Sequence, residues 1–479
     1  MSRTFLEFIG TNQKSNCGYC NGERGETTVK SGVKEDAGNS RADGGGEAEK
    51  DESSVSTALT IYAISSDNFM HLLEAGWSTS GRYLYKPNNR VTCCPQFTIR
   101  LDVTKFKMSR SQKRAMRQMN EFLATGKRPV CGIKEEDSGA EKVVVPGTSS
   151  DKSSEKVKSE DVTAVRKEKD PDRPVLKKKE IRNKRFEEKC RQRNLDPDVV
   201  RAERRQKDAN RQRTIQSFID EARPDWKHKL EVKLVPLGTE EFDSKDNESF
   251  ELYKKYQHII HKDEGCRLAG FRRFLCDSPL IKEKRLGVDL GSFHLWFLLD
   301  GKLIAVSVVD LLPNCLSAKY MYYDPDYSFL SMGTYTALRE IDQTQRLEKV
   351  NHNLKYYYMG YYIHSCPKMR YKAKFRPSDL LCDESFNWLE LDACTEFIEK
   401  STDRNGFAEF CPGFPRPAPL PLGDMLVYTD GAMTTFDRAF SRLTDADKKE
   451  QVLRNAQEIA RLVGPNLDAA VYYFSEFEA

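Results

Sequence analysis

Two long stretches of this chain are too poor in apolar residues to build a core, so they divide it into separate folded parts. Residues 31–56 consist mainly of Gly, Ser, Glu, Asp and Lys, and residues 133–215 form a second polar stretch. Such segments cannot bury enough apolar surface to offset the conformational entropy lost on folding. We therefore predict a disordered insertion at 31–56 and a bridge at 133–215. The bridge is expected to be disordered at first and helix-permissive from about Glu180, with an interruption at Pro197.

The positive charge of the chain is concentrated in the bridge. The 479 residues carry a net charge of only +4, whereas residues 151–215 hold 22 Lys and Arg against 14 Asp and Glu. A second basic run lies on a predicted helix over 109–123, which begins with serines that can cap it. Met116, Met119 and Leu123 repeat there at helical spacing. Two basic runs beside folded parts favour contact with phosphate backbones, and a solvated charged face is the alternative.

Composition argues against membrane and disulfide-stabilised proteins. No segment approaches the roughly 20 apolar residues that span a bilayer, and the first residues lack the pattern of a signal peptide. The 13 cysteines, an odd number, are expected to be thiols or metal ligands rather than disulfides. We expect a protein of the cytoplasm and nucleus without a membrane partner.

Alternating and amphipathic segments predict an α+β domain in the second folded part. Its hairpin is closed by Asp300-Gly301, a tight-turn dipeptide. The hairpin is followed by a strand, a helix and a further strand, which indicates a central, mostly antiparallel sheet. The predicted strands are 91–103, 231–235, 292–299, 303–311, 317–323 and 355–363, and the predicted helices are 250–261, 333–341 and 437–463.

Two pairs of cysteines are candidate metal ligands. Cys17-Gly-Tyr-Cys20 can place two thiolates on one side of a turn, and Cys93-Cys94-Pro95 adds a vicinal pair at the start of a strand. Four soft ligands suit Zn²⁺ or an iron–sulfur cluster. Adjacent cysteines are awkward ligands for one tetrahedral zinc, so one of the pair could instead be a reactive thiol. The simplest alternative is that these four, like the nine other cysteines, are ordinary buried thiols.

An aromatic strand followed by a cationic loop is the second candidate site. Residues 356–362 contain five tyrosines, and residues 368–376 contain five cations and two aromatic residues. Buried tyrosines need partners for their hydroxyls, so such a strand commonly lines a polar cleft; packing against a helix is the alternative. The loop can clamp an acidic group or a phosphate. No Ser-His-Asp elbow, HExxH or Walker motif accompanies these features.

The motifs of the second folded part closely resemble those of arginyl-tRNA–protein transferases. The longest are Tyr322–Ser331 and Tyr357–Met369, and shorter ones lie at 270–279, 291–294, 300–302, 310–315 and 376–382. The first folded part is similar to the same family in its two cysteine motifs, in the Gly-Trp and Arg-Tyr residues at 76–83, and in the basic helix at 111–117. The 31–56 insertion and most of 425–479 depart from the family's pattern.

This resemblance implies an architecture and an activity. From composition and pattern we expect a small cysteine-containing domain at 1–130, a basic and partly disordered linker at 131–225, a folded domain at 226–425 and a C-terminal helical extension at 426–479. The resemblance implies a GNAT-like (acetyltransferase-type) fold for the 226–425 domain. It implies transfer of arginine from Arg-tRNA to the N-terminal amine of proteins beginning with Asp, Glu or oxidised Cys, which marks them for ubiquitin-dependent degradation. Ubiquitin ligases are then indirect partners. The family's site, associated with an iron–sulfur cluster and alternatively with zinc or haem, carries over to Cys17, Cys20, Cys93 and Cys94.

The implied reaction needs no ATP, because the ester that links arginine to tRNA is already activated. The enzyme has to hold both partners, accept one proton and stabilise a tetrahedral oxyanion. Candidates for proton transfer or for holding the amine or the arginyl group are Asp310, Asp324 and His364, with His294 a weaker one. Candidates for binding the acceptor are Lys368, Arg370, Tyr371, Lys372 and Tyr358. Candidates for contacting tRNA are Lys113, Arg114, Arg117, Ser331 and Gly333.

Three other functions compete with this interpretation. The nearest transfers leucine instead of arginine, as bacterial relatives of the second domain do. A noncatalytic, redox-sensing RNA-binding metalloprotein would bind charged and uncharged tRNA alike. An acetyltransferase using acetyl-CoA is disfavoured, because the turn before the predicted 333–341 helix lacks the usual basic, Gly-rich pyrophosphate loop.

Overall fold

A computed structural model of the chain describes residues 4–20, 53–128, 178–210, 213–465, 467 and 469–477. The chain forms two compact units, one comprising residues 1–131 with 214–479 and the other residues 132–213. None of the described helices is long and apolar enough to cross a membrane.

The larger unit contains two sheets. The first has seven strands in the order β15-β14-β16-β1-β2-β4-β3, with β1 parallel to β16 and antiparallel to β2. Its strands are β1 (Thr4–Ser15), β2 (Ser54–Ala63), β3 (Ser78–Ser80), β4 (Tyr83–Pro87), β14 (Leu426–Thr429), β15 (Ala432–Thr435) and β16 (Ala470–Tyr473). The two ends of the chain therefore meet in one sheet.

The second sheet has nine strands in the order β13-β12-β5-β11-β10-β9-β8-β6, with β7 paired to β8. All its strand pairs are antiparallel except β10 with β11. Its strands are β5 (Phe97–Asp102), β6 (Leu230–Pro236), β7 (Glu283–Arg285), β8 (Val288–Leu299), β9 (Lys302–Leu311), β10 (Cys315–Tyr323), β11 (Tyr356–Tyr362), β12 (Ser378–Leu381) and β13 (Trp388–Glu390). The predicted mixed α+β class with a mostly antiparallel sheet is confirmed.

Helices of the larger unit pack against these sheets. They are α1 (Ser66–Glu74), α2 (Arg110–Thr125), α5 (Ile215–Ile219), α6 (Glu240–Asp243), α7 (Asp246–Tyr256), α8 (Leu268–Phe271), α9 (Met332–Glu348), α10 (Pro367–Arg370), α11 (Leu391–Lys400), α12 (Phe436–Arg442) and α13 (Ala446–Val463). Two π-helices, Gln257–His261 and Arg272–Cys276, continue α7 and α8. Such helices are rare and often mark functional sites.

Helix α2 shows how sequence pattern produces this packing. Ser109 and Gln112 form a capping box at its start, which satisfies two backbone N–H groups that helix geometry leaves unpaired. The predicted stripe of Met116, Met119 and Leu123 is buried against the same core as α9 and the inner face of β5. The opposite face keeps the basic residues in solvent. The predicted amphipathic helix is therefore confirmed, and it begins at Arg110.

The smaller unit, described from residue 178, is a helical hairpin. Helix α3 (Lys178–Arg191) and helix α4 (Pro197–Asn210) enclose the sharp turn at Asn194. Proline at the first helical position is favourable because its missing N–H has no partner there anyway. Pro197 therefore separates two helices, as its interruption of the basic segment predicted. Residues 133–177, the first part of the predicted bridge, lie outside the described residues.

Three sequence predictions need correction. Residues 437–463 form two helices, α12 and α13, because Leu443–Asp445 leaves the helical conformation and Asp445 caps the second helix. The strand predicted at 91–103 contains only Phe97–Asp102, since the residues before it form turns. The insertion predicted at 31–56 lies mostly outside the described residues, but Ser54–Ser56 already belong to β2, where they pair with β1 and β4.

Candidate active site and cysteine centre

The four predicted cysteine ligands come together, and we call this group the cysteine centre. Their sulphur atoms all lie within 4.8 Å of one another, and the Sγ atoms of Cys20 and Cys93 are 3.5 Å apart. Cys20 is half-buried and the other three are buried. Four thiols converging at this spacing match the donor set of thiolate-bound metals, so the centre can hold a metal.

Two irregular segments present the cysteines. Cys17 and Cys20 lie in the turn after β1, and Cys93 and Cys94 lie in the loop between β4 and β5. The Cys93 N–H donates to Ser53 O at 3.0 Å. A hydrogen bond from Cys94 lowers the pKa of Cys93 to about 5, and the same contact raises the pKa of Cys94. A thiolate is therefore favoured at one position, and the thiolate is the form that binds metals.

The cysteine centre packs directly against the start of the cationic loop. Ile363 and Cys366 are buried in the same apolar cluster as the centre, and Met369 packs on it. The carbonyl oxygen of Cys366 accepts hydrogen bonds from the N–H groups of Met369 and Arg370, at 3.0 and 2.9 Å. The sequence alone predicts an ordinary buried thiol at Cys366. The cysteines that it packs with, such as Cys93 and Cys94, lie about 270 residues or more before it in the sequence.

A gap between two parallel strands forms the second part of the site, and we call it the strand cleft. Pairing of β10 with β11 covers only Cys315–Ser317 and Tyr356–Tyr358, although the strands continue to Tyr323 and Tyr362. On their other edges, β10 stays paired with β9 and β11 with β5 on both sides of that point. In these described strands, the ladder between β10 and β11 therefore ends after three residue pairs, and the two strands separate.

Aromatic and basic residues from separate elements surround the strand cleft. Tyr323 of β10 lies 5.2 Å from Tyr256, measured between ring centroids, and the Gln257 amide donates to Tyr320 at 2.7 Å. His261 ends the π-helix that follows α7. Burial lowers its pKa, and the positive charge of Lys368 lowers it further. The end of the π-helix therefore lies near Lys368 of the cationic loop.

Three of the four predicted loop residues are accessible. Lys368, Arg370 and Tyr371 are exposed, and the Arg370 Nε donates to the His364 carbonyl at 2.8 Å. Lys372 is different: it is buried, and its Nζ donates to the Tyr361 carbonyl at 2.6 Å. Burial lowers the Lys372 pKa to about 8. Lys372 therefore holds the loop against β11, while the others are free to meet a substrate.

The two predicted aspartates are buried and already hold ammonium groups. Asp310 of β9 accepts a hydrogen bond from Ser292, and its other oxygen lies 3.2 Å from the Lys319 Nζ. Asp324 ends β10 and accepts from the Lys255 Nζ at 2.5 Å. Burial raises the Asp324 pKa, but hydrogen bonds from Lys255 and a backbone N–H outweigh it, and the net shift is downward. Both carboxylates are bound to lysines within the fold.

The two histidines differ in accessibility. His364 is one-quarter exposed, its Nδ1 is 2.8 Å from the Tyr362 hydroxyl, and burial and Arg370 lower its pKa. His294 is fully buried, and burial lowers its pKa to about 4. Its Nε2 lies 3.0 Å from the Leu275 carbonyl. Tyr358 is also buried, with its ring 5.5 Å from that of Trp388. His364 is thus the histidine beside the cationic loop.

The sequence did not predict one buried residue under the sheet, a glutamate. Glu340 of α9 accepts hydrogen bonds from Ser307 at 2.6 Å and from Tyr357 at 2.7 Å. Burial raises its pKa to about 7. Nothing in the sequence singles out one glutamate of an amphipathic helix, because its partners lie on two non-adjacent strands.

The residues predicted to contact tRNA lie on α2 and at the start of α9. Arg114 and Arg117 are exposed on α2 and Lys113 is partly buried. Gln112, near the start of α2, donates to the Lys374 carbonyl at 3.3 Å, so the basic helix adjoins the cationic loop. Ser331 and Gly333 lie at the start of α9; Ser331 is exposed with φ 54°, and it precedes the helix without a side-chain cap. In the first turn of α9, the N–H groups of Thr334 and Tyr335 donate to the Ser331 carbonyl, at 2.9 and 3.0 Å.

Known proteins provide an independent comparison. Profiles described as Arginine-tRNA-protein transferase, N terminus and C terminus match residues 15–114 and 248–382. Arginyl-tRNA–protein transferase 1 of Drosophila melanogaster is 35% identical over 85% of this chain and 86% of its own length. Arginyl-tRNA–protein transferase 1 of Arabidopsis thaliana is 30% identical over 73% of this chain and 71% of its own.

A bacterial relative covers a smaller part. The aspartate/glutamate leucyltransferase of Pseudomonas fluorescens is 45% identical over 34% of this chain and 61% of its own length. The relatives named above from Drosophila melanogaster and Arabidopsis thaliana, which cover more than two thirds of this chain, are arginyl-tRNA–protein transferases. The chain therefore belongs to the arginine-tRNA–protein transferase family, aminoacyltransferases that move arginine from tRNA to proteins.

Proposed function

We propose that this enzyme arginylates the N-terminal amine of proteins that begin with Asp, Glu or oxidised Cys, and that the product is degraded through ubiquitin conjugation. The observation that carries the acceptor specificity is the position of the cationic loop beside the strand cleft, where Lys368 faces His261. Each of the three acceptor side chains is anionic, and charge-assisted hydrogen bonds to cations favour such a side chain over a neutral one.

The acceptor is proposed to bind through the exposed cations. Lys368, Arg370 and Tyr371 are accessible. We assign the first contact with the acidic side chain to these two cations, with Lys372 and Tyr358 supporting the loop and strand from inside. An arginine can pair with a carboxylate through two parallel hydrogen bonds, which a lysine cannot.

The transfer step follows from the chemistry of the ester. The neutral acceptor amine attacks the arginyl carbonyl, a C–N bond forms, the C–O bond to the ribose breaks, and the ribose hydroxyl leaves with a proton. We propose His364 for moving the amine's proton. Asp310 and Asp324 are the candidates for holding the cationic arginyl group, and each would have to exchange a lysine ammonium that it binds in the fold for that group. No ATP is needed.

The donor is proposed to enter from the basic side. The GNAT-like architecture expected from the sequence would place the aminoacyl end between β10 and β11 and the terminal phosphates at Ser331-Gly333, before α9. Lys113, Arg114 and Arg117 of α2 would hold the tRNA body through its backbone, without reading sequence. This placement is supported by the hydrogen bond that joins α2 to the cationic loop.

The cysteine centre is proposed to hold an iron–sulfur cluster, with zinc as the alternative. The donor set of Cys17, Cys20, Cys93 and Cys94 fits either group. Because the centre packs on Cys366 and Met369, we propose that the bound group stabilises the cationic loop rather than taking part in transfer. We propose that the protein is located in the cytoplasm and nucleus. The described cysteines form no disulfides, as is usual for proteins of reducing compartments.

For the functional division of the chain, we propose a cysteine-bearing region at 1–130, a linker at 131–225, a catalytic region at 226–425 and an extension at 426–479. Strands of the first and last of these complete the two sheets, β5 in one and β14 to β16 in the other. The catalytic region is therefore best tested within the full chain.

The experiment that tests the proposal is a transfer assay with labelled Arg-tRNA, without ATP, and peptides beginning with Asp, Glu, oxidised Cys or Ala. Label on the three acidic peptides and not on the Ala peptide is the expected result. Equal labelling of the Ala peptide would contradict the acidic specificity. Transfer from Leu-tRNA but not from Arg-tRNA would favour the leucyl alternative.

A further inference from the structure

The loop that carries Cys93 and Cys94 owes its shape to side-chain hydrogen bonds. It runs between β4 and β5 without regular secondary structure. Asn89 closes it: its amide donates to the Gln96 carbonyl at 3.0 Å, and its oxygen accepts from the Gln96 N–H at 2.8 Å. This reciprocal pair fixes the two ends of the loop and leaves the carbonyls between them to be held from outside.

Asn405, from the segment after α11, holds those carbonyls. Its amide nitrogen lies 2.9 Å from the Asn89 carbonyl and 2.8 Å from the Thr92 carbonyl, with the Arg90 carbonyl at 3.4 Å. An asparagine amide has two hydrogens. The two short contacts use both of them, and the second ends on the residue directly before Cys93. The orientation of the cysteine pair is therefore tied to Asn405.

Asn405 is itself held in place. Its oxygen accepts a hydrogen bond from the Phe407 N–H at 3.0 Å. The Phe407 ring stacks on Phe97 at a centroid distance of 6.3 Å, and the Arg90 guanidinium lies 5.0 Å from the Phe407 ring. Asn405 is only half-buried, so its side chain can be changed without opening the core. This separates a positioning role from a role in folding.

We propose that Asn405 is a positioning residue of the metal centre, which holds the Cys93-Cys94 loop in the conformation that presents both thiols to the bound metal. The inference rests on the metal centre proposed above. Residues that orient ligands from outside the coordination sphere typically contribute about 10- to 100-fold to metal affinity. Asn405 lies beyond residues 248–382 and 15–114, where the family profiles match, so its role follows from the geometry alone.

The test compares Zn²⁺ affinity, measured by competition with a chromogenic chelator under anaerobic conditions, in the full-length protein. Asn405→Asp keeps the size of the side chain but turns a donor into an oxygen that faces three carbonyls. Asn405→Ala removes the contacts without adding a charge. Arg404→Ala, at the exposed neighbouring position, is the matched control. Thermal unfolding of the metal-free proteins checks that all variants fold.

We expect the Zn²⁺ dissociation constant to rise roughly 10- to 100-fold in Asn405→Asp and less in Asn405→Ala, with Arg404→Ala unchanged. Wild-type affinity in both Asn405 variants would overturn the inference while leaving the metal centre in place. A wild-type protein that binds no metal would overturn the inference together with the proposed centre. The transfer assay with Arg-tRNA then tests the proposed reaction separately.

Discussion

The cysteine centre and the strand cleft are built in opposite ways. The centre gathers four identical side chains from two short segments and buries most of their surface. The cleft is an opening between β10 and β11, surrounded by single residues of different kinds from α7, its π-helix and the cationic loop. A site of like ligands can be recognised by composition, whereas a site of unlike residues exists only once the elements have packed.

The two regions meet at the cationic loop. Cys366 and Met369 pack with the cysteine centre, and Lys368 lies close to His261 at the end of the π-helix. A substitution in the cysteine centre or in the strand cleft can therefore be tested for its effect on the other region, which measures the coupling through the cationic loop.

The largest effect is expected from removing a ligand of the centre. Cys93→Ser should weaken metal binding by at least about 100-fold, more than loss of a residue outside the coordination sphere. Metal content and Zn²⁺ affinity measure this, with Cys276→Ser, at a half-buried position outside the centre, as the control. Unchanged metal affinity in Cys93→Ser would show that Cys93 is not a ligand.

The next largest effect is expected on the free energy of unfolding, through the buried carboxyl group of Glu340. Glu340 has an ordinary pKa of 4.5 that burial raises to about 7. Below pH 4.5 the carboxyl is protonated in both folded and unfolded protein, so its contribution to stability does not change. As pH rises toward 7, the unfolded state ionises first, and the native state loses up to about 3 kcal/mol.

Glu340→Gln should remove this loss. The free energy of unfolding of the variant, relative to wild type, is expected to increase between about pH 5 and 7 and then level off. Chemical denaturation at a series of pH values measures it. A difference that stays constant with pH would contradict a raised Glu340 pKa, and metal affinity should not change in either case.

The cationic loop should show the specificity effect. Lys368→Ala and Arg370→Ala are each expected to lower kcat/KM for an Asp-initiated peptide by about 10-fold, since a charged hydrogen bond contributes about 1.5–3 kcal/mol, reduced by solvent exposure. The effect should appear mainly in KM for the peptide and not in KM for Arg-tRNA. Exposed Lys400→Ala is the control. Equal losses for both substrates would place these cations on the donor side.

The smallest effect is expected on α2. Arg117→Ala should weaken tRNA binding a few-fold, equally for different tRNA sequences, and should lower the slope of log affinity against log salt by about 0.7–0.9. Binding titrations at several salt concentrations measure this. An unchanged slope would indicate that Arg117 makes no phosphate contact.

Local sequence patterns predicted individual elements well where one signal decided them. The Asp300-Gly301 turn adopts positive φ at both residues, as a two-residue hairpin requires, and Ser109 with Gln112 begins α2. The periodicity gave a wrong prediction at 437–463. The helical pattern of the sequence continues across Leu443–Asp445, whereas the helix is interrupted there.

The chain's own residues determined the candidate metal ligands, the basic helix, the mixed α+β class and, through family motifs, the reaction. These depend on composition and short-range periodicity, which are fully present in the linear sequence. The tertiary structure alone decided that β5 joins the catalytic sheet, that Glu340 lies buried between β9 and β11, and that Asn405 holds the Cys93-Cys94 loop. Each of these joins residues far apart in the chain, and such pairings follow from the packing of whole elements rather than from any local preference.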